Sequence, residues 1–103
     1  PDIEKQLLRD KARKFLEVLL KLYRDRYMLD LGCFPSALSY PTYQDKSLLL
    51  PKLPLEKVLT VIESAYQALD NSSSAASVLE WVALQLLSLR FQAQKSEASS
   101  YSN

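Results

Sequence analysis

Histidine is absent from the 103-residue sequence, and glycine and cysteine occur once each, as Gly32 and Cys33. Without histidine the commonest general base, the usual nucleophile triads and most metal-ligand sets fall away. A single glycine leaves no place for the G-x-x-x-x-G-K-[ST] or G-x-G-x-x-G loops that cradle phosphates. It also argues against a turn-rich all-β fold and for helices. One cysteine makes no internal disulfide, argues against a cysteine-based zinc site, and fits a reducing, cytoplasmic compartment. No apolar run approaches the roughly 18 residues of a membrane span, and no signal-peptide pattern is visible.

What is present is ordinary for one globular domain: 48% hydrophobic and 24% charged residues, with a formal net charge of +1. So balanced a chain is not a polyanion binder as a whole. The charge is uneven, since residues 1–32 hold eight Lys/Arg against six Asp/Glu, whereas residues 55–103 hold three against five. The chain opens at Pro1 directly in helical pattern, which reads as a piece of a longer protein.

The hydrophobic period predicts an all-α fold: a small bundle of three main helices with a short helix in a proline-rich connector. The first helix is expected from Asp2 or Ile3 to Leu31, with Gly32 as its stop. At about 100° per residue, its apolar residues from Leu8 to Leu29 fill an arc of roughly 200°, about twice the stripe a surface helix needs. Such a helix either sits centrally in its own domain or packs on two sides with the second side given to another chain, which points to an assembly part rather than an enzyme. Pro35, Pro41, Pro51 and Pro54 punctuate the connector, so only a short turn, about Tyr43–Leu50, fits there, capped by Thr42 and stopped by Pro51. A second helix, about Leu55 to Leu69, carries Leu55, Val58, Leu59, Ile62, Ala65, Tyr66 and Leu69 at i, i+3, i+4, i+7 spacing. After a polar loop with a serine N-cap, a third helix spans about Ala75 to Gln92. Its core face is Ala75, Val78, Leu79, Val82, Ala83, Leu86 and Leu89, with Trp81, Leu84 and Phe91 outside it. Residues 1–93 thus form the domain, and 94–103, polar, serine-rich and aperiodic, are expected to be a disordered tail.

Chemistry is hard to find in this pattern. Cys33 directly follows a helix C-terminus, a poor place for a nucleophile, and reads as an ordinary semi-buried cysteine. Asp25 and Asp30 are five apart and face different directions, so solvated charge or ion pairing is preferred over an acid–base pair. Catalytic, cofactor and metal sites are all read as none. Lys11, Arg13, Lys14, Lys21, Arg24 and Arg26 are interleaved with Asp10, Glu17 and Asp25, which favours a solvated helix face over a phosphate-tracking stripe. Arg26 is the exception. It falls in the middle of the apolar arc, where an unpaired charge would cost several kcal/mol, so a partner for it is required. The surplus aromatics read first as bundle core and second as interface anchors, where Trp, Tyr and Arg are enriched. The candidate interface residues are Tyr23, Arg26, Tyr27, Trp81, Leu84 and Phe91.

Two stretches carry a family resemblance. Phe15-Leu16-Glu17-Val18-Leu19-Leu20-Lys21-Leu22-Tyr23-Arg24-Asp25-Arg26, with Leu29 and Gly32, resembles the opening helix of the C-terminal, or collar, domain of bacterial DNA polymerase III clamp-loader subunits. The segment from Leu55-Glu56-Lys57-Val58-Leu59 through Leu69, then Asn71 to Ala75 and Val78 to Leu86, is similar to that family's closing helix pair. The delta-prime branch is the best fit. The resemblance covers about residues 12–90 and departs in the middle, where Pro41, Pro51 and Pro54 replace a more helical connector. It implies an all-helical collar that joins other clamp-loader subunits in a hetero-oligomer during sliding-clamp loading. It implies no reaction, cofactor, small-molecule ligand, membrane or direct nucleic-acid contact in this piece. The alternative is an unrelated helical adaptor or homodimerising regulator.

Overall fold

The computed structural model describes residues 2–71 and 73–101, with side chains described through Lys95. It contains four α-helices in the order α1 (Asp2–Asp30), α2 (Gln44–Ser47), α3 (Leu55–Asp70) and α4 (Ala75–Tyr101), and no strand among the described residues. Two 3-10 turns, Pro35–Ala37 and Pro41–Tyr43, precede α2. This is the expected all-α bundle of three main helices with a short fourth in the connector.

α1 begins with Asp2 and Glu4 in its first turn, where carboxylates offset the N-terminal dipole. It ends in a Schellman arrangement. The N–H of Cys33 donates to Met28 O at 3.0 Å, and that of Gly32 donates to Leu29 O at 3.0 Å. Gly32 takes φ 80°, a conformation that glycine reaches without a Cβ penalty. The connector then turns on its prolines. Thr42 lies inside a 3-10 turn rather than capping α2, which has no side-chain cap and is only four residues long.

α3 starts directly after Pro54. Val58, Ile62 and Ala65 are fully buried and Leu69 almost so, each large side chain among them contributing about 1.5–3 kcal/mol by leaving water. The buried face is rotated from the expected one: Val61 is inside, whereas Leu59 is 40% exposed. The reason is that α3 touches α1 on one flank and α4 on the other, which draws Val61 and Ala68 into the core. Ser74 caps α4 by accepting the backbone N–H of Ser77 at 3.1 Å. α4 does not stop near Gln92. It runs on to Tyr101, so the expected disordered tail is helical over 94–101, and the remainder of that expectation, 102–103, lies outside the described residues.

Arg13 pairs with Asp70 at 2.6 Å, and Tyr66 Oη donates to Arg13 O at 3.5 Å. The end of α3 therefore lies beside the N-terminal half of α1, and α3 runs antiparallel to it. Ala12, Leu16 and Tyr23 of α1, the buried stripe of α3, and Val78 and Val82 of α4 form the core.

Candidate protein-interaction surface

The wide apolar arc of α1 has an internal explanation over its C-terminal half. Leu19 and Leu20 pack against the core. Val18 and Leu22, on the other flank, meet Tyr40, Tyr43 and Lys46 of the connector around a recess of about 380 Å³. The second side there is covered by the chain's own connector, so of the two alternatives the central position within its own domain holds over this half, and the second chain is not needed there.

Asp25 holds that cover in place. Its carboxylate is fully buried and accepts the backbone N–H groups of Ser39 at 2.8 Å and Tyr40 at 2.9 Å. The preceding Arg24 donates to Ser39 Oγ at 3.1 Å and lies 3.9 Å from the Asp25 carboxylate. Asp25 is thus buried rather than solvated; it is ion-paired with Arg24, as one of the two expectations had it, and it also supplies acceptors to two connector N–H groups that would otherwise lack them. Arg26 fastens the far end. Its Nε donates to Asp30 Oδ2 at 3.1 Å, and Nη1 donates to the carbonyl oxygens of Leu48 and, at 3.4 Å, Leu50. The partner that Arg26 requires is therefore inside the chain, which removes it from the candidate interface anchors.

For Tyr23 the first reading, bundle core, holds, and it leaves the interface candidates. It is 7% exposed and part of the core, because it sits on the same side of α1 as Ala12 and Leu16. Burial pushes its phenol above the ordinary range, with the Arg90 charge opposing. Tyr27, one turn further along, is 45% exposed at the mouth of a groove between α1, residues 52–57 and α4.

The remaining candidates come together on α4. Val78, Val82 and Leu89 face inward. At about 100° per residue, Trp81 falls on the flank next to Val78, Leu84 and Phe91 fall on the opposite side of the helix, and Leu87 joins them. Their exposures are 39%, 64%, 62% and 46%. No charged residue occurs between Trp81 and Leu89. Leu87 escaped the sequence reading, although that uncharged run was the signal for it. With aromatics of about 150–250 Å² each, the stripe presents on the order of 400 Å² of apolar surface, as large as the biggest patch on a typical monomer.

No helix is long and apolar enough to cross a membrane, and no metal-binding group of side chains occurs among the described residues. Cys33 is free and half-buried. Comparison with known proteins finds no matching family model, no matching curated protein and no matching solved structure.

Proposed function

We propose that this chain is a non-catalytic subunit-assembly domain whose binding face is the outward side of α4. The observation that carries the reading is the stripe Trp81, Leu84, Leu87 and Phe91, apolar and uncharged, which runs from the flank beside Val78 to the side opposite the core-facing residues of the same helix. A stable interface buries about 800 Å² on each partner, so a stripe of about half that size serves as its apolar centre, with a polar rim around it.

The partners proposed are the other subunits of a bacterial clamp loader, in the cytoplasm, with the chain acting as a collar during sliding-clamp loading. Support comes from the residues that resemble the collar, and from the order in which they fold: a long helix stopped by Gly32, a connector, and a closing pair of helices. The Arg-Asp step of the resemblance is where Arg24 and Asp25 fasten the connector to α1.

Size-exclusion chromatography with light scattering tests this, on the chain alone and mixed with the host's clamp-loader subunits. The expected result is a monomer that co-elutes with those subunits, and a Leu84→Asp/Phe91→Asp variant that keeps its helicity and no longer co-elutes. A homodimer that ignores the subunits overturns the clamp-loader reading in favour of a self-associating adaptor. Unchanged co-elution of the variant overturns the assignment of the face.

A further inference from the structure

The groove at the C-terminal half of α1 is bordered on α4 by Leu89, Gln92 and Ala93, shares no lining residue with the stripe, and has a different character. It encloses about 620 Å³ and is open along the surface. Tyr27 and Leu31 of α1, Leu53 of the connector and Leu89 of α4 give it an apolar floor and lip. Leu31 is 62% exposed there.

Its charge is one-sided. The cations lining it are Arg26, Lys52 and Lys57, and the single anion is Asp30. Arg26 and Asp30 neutralise each other at 3.1 Å. Lys52 and Lys57 are exposed and take part in no ion pair among the described residues. An apolar trough lined by two exposed ammonium groups complements a segment that carries leucine or an aromatic beside carboxylates. A purely apolar occupant would leave those charges unanswered, and a basic one would be repelled.

We propose that this groove docks a short apolar segment flanked by aspartate or glutamate, supplied by a partner protein. The apolar side chains lie on Tyr27, Leu31, Leu53 and Leu89, and the carboxylates meet Lys52 and Lys57. The site is separate from the α4 stripe and does not rest on the clamp-loader reading.

The test pans the full chain against a phage-displayed library of random dodecamers, then measures the enriched peptides by fluorescence anisotropy. The expected peptides pair Asp or Glu with Leu, Phe or Trp. Their binding weakens about tenfold or more in Lys52→Glu/Lys57→Glu and in Leu31→Asp, and weakens between about 0.05 M and about 0.3 M salt. Leu84→Asp leaves it unchanged. All the altered groove side chains are exposed, and circular dichroism checks that the fold persists; Lys52→Gln/Lys57→Gln gives a smaller loss in the same direction. Any of four outcomes overturns the proposal: no enrichment, enrichment without acidic residues, binding indifferent to the lysines, or binding lost in Leu84→Asp but not in Leu31→Asp. Self-association that Leu31→Asp abolishes also overturns it, because the occupant is then a second copy.

Discussion

The buried carboxylate of Asp25 accepts the backbone N–H of Ser39 at 2.8 Å, joining the C-terminal part of α1 to a connector residue fourteen positions downstream. With Tyr40 taken by the second carboxylate oxygen at 2.9 Å, one side chain closes both donors. Replacement by alanine leaves two part-buried N–H groups without acceptors. Asp25→Ala is therefore expected to lower stability by about 2–4 kcal/mol, and Asp25→Asn, which keeps one acceptor oxygen, by less. Urea unfolding followed by circular dichroism measures both. Equal losses would mean that the carboxylate acts through its charge rather than through its two bonds.

Local pattern told the helices from the sequence, and non-local contact decided what the pattern left open. α3 was legible almost to the residue, since Pro54 starts it and the polar loop after Asp70 ends it. The continuation of α4 past Gln92 was not. Residues 94–101 have no apolar period, yet Ala, Gln, Lys and Glu are adequate helix formers, and adding residues to an existing helix is far easier than starting one. A helical wheel sees only its own helix, so it could not reveal that Asp25 serves the Ser39 and Tyr40 backbone, nor that Arg26 reaches the Leu48 and Leu50 carbonyls. Tyr23 shares its side of α1 with Ala12 and Leu16, so the first reading of it, as bundle core, was already in the wheel. Leu84 and Phe91 were recoverable because their exposure follows from the position of Val78 and Val82 on the same helix, with Trp81 on the flank between.

Ser47 offers a contrasting polar group. It is fully buried on α2, which packs against α1, and its Oγ has no hydrogen-bond partner among the described residues. Burying a hydroxyl without a partner costs about 1–3 kcal/mol. Ser47→Ala removes the hydroxyl and leaves a cavity smaller than a methyl group, so stability is expected to rise by about 1 kcal/mol. A thermal melt that moves upward by several degrees is the expected reading. A downward shift would mean that the hydroxyl is satisfied in solution, by a water for instance.

Alkaline pH should loosen the same core. Burial raises the phenol of Tyr23 above its ordinary value of 10.0, with Arg90 opposing. Tyr66 is raised as well, by burial first and then by Glu17, with Lys21 opposing. A group whose pKa is higher in the folded chain than in the unfolded one holds its proton longer when folded. Its contribution is complete below the unfolded pKa and is lost as pH rises through the folded one. Stability is therefore flat with respect to these tyrosines at neutral pH and falls from about pH 10 upward. Tyr23→Phe has no phenol to ionise, so its stability should decline less steeply over that range, even though the two proteins differ little at pH 7. Tyr66→Phe should show a smaller flattening, because that phenol is partly open to solvent. Urea midpoints measured from pH 8 to pH 11.5 distinguish the cases, and parallel declines for the parent chain and Tyr23→Phe would place the alkaline loss on other groups.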